Sequence, residues 1–168
     1  MKTPSKRNLN PAYEYTFLFL HQFFGAGDRN FKEEQFLKKI EENIFNKENF
    51  NHKLSDFDFS INEPETRDAF KILTKEKKDA KILITSLTKS YTDLKSNIEK
   101  FLRSTEWKKV DPQDKIFLLI GTHEIINGKK NKGAKIINNI IEIAKKYGDE
   151  GSAPFINGVL DHLFKAQK

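Results

Sequence analysis

The chain has 168 residues, no cysteine, and a formal net charge of +6 from 30 Lys and Arg against 24 Asp and Glu. That length suits one domain able to bury about 70% of its unfolded surface without covalent staples. Without cysteine there can be no disulfide, thiolate metal site or cysteine nucleophile, and no apolar run nears the ~20 residues of a membrane helix.

Apolar residues recur at helical spacing and strand alternation is scarce, so the expected fold is all-α. A basic arm over residues 1–10, carrying Lys2, Lys6 and Arg7, leads into a helix predicted over 11–25. Pro11 opens that helix, Gly25 ends it, and Tyr13, Phe17, Leu20 and Phe24 form its face. The arm ahead of Phe17-Leu18-Phe19-Leu20 faintly imitates a secretion signal. The apolar run is too short, however, and His21-Gln22 follows it with no small-residue cleavage site, so the expected location is the cytoplasm. A second helix is predicted over 29–45, with Phe36, Leu37, Ile40 and Ile44 together. Residues 46–65, rich in Asn, Asp and Ser, read as a long loop.

A third helix is expected over 65–90, broken near Thr74, and a fourth from about Thr92-Asp93 through Leu94 and Ile98. Asp111 as N-cap, Pro112 at the first helical position and Asp114 in the first turn, where the helix dipole favours an acid, start a fifth helix over 112–127. Its Ile116-Phe117-Leu118-Leu119-Ile120 run is apolar on every side, which predicts the buried central helix. The sixth helix, over 133–147, carries Ile136, Ile137, Ile140, Ile141 and Ile143; Gly148 stands where a left-handed C-cap belongs. Ser152 as N-cap and Pro154 in the first turn open a seventh helix over 153–166, faced by Phe155, Ile156, Val159, Leu160 and Leu163. The expectation is a single-domain, all-α bundle of about seven helices.

Little in the chain suggests catalysis. His21, His52, His123 and His162 are scattered without metal-ligand spacing, and there is no P-loop, dinucleotide glycine pattern or nucleophile elbow. His123 lies on the stripe of Ile116, Leu119 and Ile120, the position of a satisfied core histidine. No catalytic residue, metal or cofactor is expected. Charge, in contrast, is polarised: +2 over 1–27, −4 over 28–68 and +8 over 69–168. Such polarity suits a nucleic acid on one surface, although lysine-rich usage also follows from an AT-rich genome. Three basic clusters stand out: the N-terminal arm, the Gly-bounded loop 128–135 with four lysines, and Lys145-Lys146 before the turn to Ser152. If the arm and that turn meet in space, they flank a helix N-terminus suited to phosphate, with Tyr13, Tyr147 or Phe155 as stacking candidates.

Four segments, in order, resemble the NusB family of bacterial transcription antitermination factors. They are Ala12-Tyr13-Glu14 with Leu20, the 114–125 helix, Ile137-Asn138-Asn139 through Gly148, and the closing Phe155-Ile156-Asn157-Gly158-Val159-Leu160-Asp161. The resemblance implies an RNA-binding, non-catalytic antitermination subunit that pairs with NusE, a small-subunit ribosomal protein. The pair would bind boxA, a single-stranded element of ribosomal-RNA leaders, within an RNA polymerase antitermination complex. Joined to the basic clusters and aromatics above, it points to RNA contacts at Lys6, Arg7, Tyr13, Lys145, Lys146, Ser152 and Phe155, and by matched position it implies partner contacts at His21 and Asp114. Family members occur as monomers and homodimers. The chain departs from the pattern where Tyr13 and Leu119 replace arginines and Asn139 a glutamate, and its N-terminal cluster is poorer in arginine. A helical protein–protein module with weakened RNA binding therefore stays open as the alternative. The RNA-recruiting domain of a methyltransferase is a weaker one, since no cofactor-binding segment follows.

Overall fold

Seven α-helices and two short 3₁₀ turns, with no strand, account for the regular structure among the residues that the computed structural model describes: 9–21, 33–45 and 66–167, the side chains of 43–45 and 66–77 excepted. They are α1 (Pro11–His21), α2 (Glu33–Phe45), α3 (Thr66–Lys89), α4 (Tyr91–Glu99), α5 (Pro112–Asn127), α6 (Gly133–Tyr147) and α7 (Ser152–Ala166). Every α-helix expected from the sequence is present. The predicted arm, the 46–65 loop and the segment joining the first two helices lie outside the described residues.

α5 is the axis of the bundle, packed against α1, α3, α4, α6 and α7. It is buried from Asp114 to His123, as an all-apolar circumference requires. Phe17 of α1 stacks on Phe117 of α5 with ring centres 4.4 Å apart and planes 5° from parallel. Near the other end of the pair, the Tyr13 hydroxyl donates to Glu124 Oε2 at 2.7 Å. The two helices therefore run antiparallel. Gly121 lets α7 approach α5, because a Cβ there would lie 2.5 Å from Leu160 Cδ1.

Three local expectations are corrected. α3 runs unbroken through Thr74, so that residue's modest helix propensity is overridden. Gly148 is extended (φ −86°, ψ 174°), not left-handed. Its glycine is required instead by closeness: a Cβ would sit 2.7 Å from both the Ala144 carbonyl oxygen and Ser152 Cβ. Finally, Gly151 is the N-cap of α7, and Ser152 is its first helical residue. The Ser152 hydroxyl turns back to accept the Asp149 amide at 3.0 Å, while the Ser152 amide donates to the Asp149 carbonyl. Asp111 does occupy the N-cap of α5, but its side chain makes no capping bond.

Candidate nucleic-acid and partner interface

The α6–α7 turn brings a basic helix end beside a helix start. Gln113 of α5 donates to Asp149 Oδ2 at 2.8 Å, which ties the turn to the start of α5. Lys145 and Lys146 stand exposed in the last turn of α6. Both carry acid partners: Lys145 reaches Glu142 at 3.0 Å, and Lys146 reaches Glu14 of α1 at 2.6 Å. Tyr147 also donates its hydroxyl to Glu14, and the Lys146 ammonium lies 4.9 Å from the Tyr147 ring centre. Burial alone would lower the pKa of Lys146, but the hydrogen bonds with Glu14 and Tyr147 outweigh it and raise the value.

Phe155, on the first turns of α7, is half-buried against the core. It edges a cavity of about 340 Å³ that also takes in Asp111, Asp114, Asp149 and Ser152. Asp114 is only 6% exposed, and its Oδ1 lacks a hydrogen-bond partner. Burial raises its pKa first, a hydrogen bond from Ser152 opposes that, and the Asp111 and Asp149 carboxylates add to the rise. The dipole complement foreseen for Asp114 is thus a buried carboxylate among like charges.

Two of the residues expected to contact RNA are buried. Tyr13 is 8% exposed, with its hydroxyl engaged by Glu124. Ser152 is 2% exposed and spends its hydroxyl on the turn. His21, partly exposed, stacks on Phe17 with ring centres 5.4 Å apart. It stands one turn beyond Phe17 and Asp114 one turn before Phe117, so the antiparallel pair brings both to the same end of the bundle. Lys6 and Arg7 lie outside the described residues.

Sequence reasoning missed a polar chain through the bundle. The Ser86 hydroxyl of α3 shares a 2.7 Å hydrogen bond with His123 Nε2, His123 Nδ1 donates to Glu124 Oε1 at 3.0 Å, and Tyr13 closes the chain on the other carboxylate oxygen. His123 is the satisfied core histidine its stripe foretold. Burial would raise the pKa of Glu124, but the bonds from His123 and Tyr13 outweigh it and hold the carboxyl below the usual range. These groups border a cavity of about 690 Å³ beside the start of α1. Among the described residues, no cluster of His, Asp and Glu could hold a metal ion, and no helix is long and apolar enough to cross a membrane.

Comparison with known proteins agrees with this architecture. The chain is 36% identical over 72 residues to a protein of Methylacidiphilum infernorum, covering 43% of this chain and 50% of the relative. It is 34% identical over 86 residues to one of Fusobacterium nucleatum, covering 51% and 55%. Against one of Sulfurimonas denitrificans it is 34% identical over 95 residues, covering 56% and 71%. All three bear the name transcription antitermination protein NusB. The chain spans about half the length of the first of these relatives. No solved structure gives a significant match. The family model described as NusB family matches residues 14–165, across all seven helices, and the chain belongs to the NusB family.

Proposed function

We propose that this chain is a non-catalytic transcription antitermination subunit of the cytoplasm, which pairs with the ribosomal protein NusE and binds boxA-type single-stranded RNA. The observation that carries the reading is the family match over 14–165, joined to relatives whose name is transcription antitermination protein NusB. The exposed Lys145-Lys146 end beside the start of α7 supports it, because ammonium groups favour phosphate. Lys6, Arg7, Lys145 and Lys146 take phosphates in this reading, and Phe155 offers a partly exposed ring to a base. His21 and Asp114, at one end of the α1–α5 pair, meet the protein partner. The test is binding of a boxA oligonucleotide against a scrambled strand, each with and without NusE. Preference for boxA that strengthens with NusE supports the reading; equal binding of the two strands in both conditions removes it.

One observation favours a second reading. Both lysines at the α6 end already carry acid partners, so little unbalanced charge is left there for RNA. A family member kept for its protein contact, with RNA binding weakened, would bind NusE in that same experiment and show no preference for boxA.

A further inference from the structure

The loop between α5 and α6 and the first turn of α6, together GKKNKGAK over residues 128–135, hold Lys129, Lys130, Lys132 and Lys135 with no acid among them. All four are exposed. Among the described residues none is ion-paired, whereas Lys95, Lys108, Lys145, Lys146 and Lys165 each pair with a carboxylate. The loop is built to a fixed shape. Lys130–Lys132 form a 3₁₀ turn, with the Lys132 amide on the Lys129 carbonyl at 2.9 Å. A Cβ on Gly128 would lie 2.4 Å from the Glu124 carbonyl oxygen, and one on Gly133 2.1 Å from the Phe164 ring. Both ends of the loop are therefore seated closely on α5 and α7. α6 then starts at Gly133 with no side-chain cap and no acid in its first turn. Four like charges are thus held at the positive end of a helix dipole, an arrangement that costs the free protein stability and that an anion relieves.

We propose that this loop is a second phosphate-binding surface, which takes the backbone of single-stranded RNA flanking the segment held at the α6–α7 end. The inference rests on the RNA reading above. Gly133 and Lys145 are about 18 Å apart along α6, so a strand held at the α6–α7 end must run on beyond it to reach the loop. A lipid surface fits less well, since the loop carries no aromatic or large aliphatic side chain to insert.

The test uses the full chain and two RNAs: the boxA element alone, and the same element with uridine flanks on both sides. Lys129→Ala, Lys130→Ala and Lys132→Ala are combined, and salt dependence is measured for each RNA. The expected result is a log–log salt slope on the flanked RNA flatter by about 2 and a loss of roughly tenfold or more in affinity. The short element should bind within about twofold of the parent. An unchanged slope on the flanked RNA, equal losses on both RNAs, or no binding of the flanked RNA by the parent would overturn the proposal. So would lysine-dependent binding to phosphatidylglycerol vesicles without any effect on the flanked RNA. Failure of the short element to beat a scrambled strand, with the length-dependent loss intact, strikes the boxA reading and leaves the loop's role standing.

Discussion

Tyr13 and Glu124, 111 residues apart in sequence, share a 2.7 Å hydrogen bond across the antiparallel α1–α5 contact. Tyr13 is a neutral donor to this carboxylate. The other oxygen of Glu124 accepts from His123, which Ser86 in turn holds from α3. Three helices are thereby joined through one carboxyl group.

Tyr13→Phe should strand a part-buried acceptor and cost about 1–3 kcal/mol, measured by urea denaturation at neutral pH. The pH dependence has a definite sign. The folded pKa of Glu124 is depressed, so its contribution is present above the unfolded carboxylate pKa and lost as pH falls through the folded value. Glu124→Gln should therefore be less stable than the parent at neutral pH, with the difference shrinking in acid. A difference that stays constant from pH 7 to pH 3 would show that the charge on Glu124 contributes nothing.

Asp114 titrates in the opposite sense. Its folded pKa is raised, chiefly by burial, so whatever stability it lends is full below the unfolded pKa and lost as pH rises through the folded one. Asp114→Asn should melt higher than the parent at pH 7, and the gain should vanish at low pH. If the same variant also binds NusE more weakly, the carboxylate is retained for its partner at a cost in stability. Lower stability at pH 7 would show that Asp114 has a buried cation for company.

The boundaries of α5 and α6 were legible because they rest on local chemistry. Pro112 can only stand in a first turn, and Gly128 and Gly148 end helices where no side chain fits. The same local view misread Gly148 and Ser152, whose roles depend on how closely the α6–α7 turn folds on itself. It also offered Tyr13 and Lys146 as free groups. Their partners, Glu124 and Glu14, lie 111 and 132 residues away, and no spacing rule reaches that far. The site was readable as composition, then, but not as a set of pairs.

Gly121→Ala tests the α5–α7 contact. Alanine is the better helix former by about 1 kcal/mol, which alone predicts a gain. The new Cβ, however, would lie 2.5 Å from Leu160 Cδ1, and Leu160 is fully buried. Overpacking of that kind costs about 1–3 kcal/mol, so the variant should be destabilised. Leu160→Val in the same chain should recover part of the loss. Additive losses in the double variant would mean that the two side chains do not collide.

The RNA reading makes its sharpest prediction at Glu14. This carboxylate takes both the Lys146 ammonium and the Tyr147 hydroxyl, so it withholds a cation and an aromatic from the surface proposed to meet RNA. Glu14→Gln keeps an acceptor for Tyr147 and removes the charge that holds Lys146. RNA affinity should rise at low salt, and the log–log slope should steepen by about 0.7, one phosphate's worth for a single strand. Lys145→Ala should flatten the slope by a similar amount, because its pairing with Glu142 is an exposed i,i+3 contact of only about 0.2–0.5 kcal/mol. Melting temperature separates these effects from unfolding. If Glu14→Gln leaves both affinity and slope unchanged while Lys145→Ala weakens binding, the RNA passes along Lys145 alone and Lys146 serves only to fasten α6 to α1.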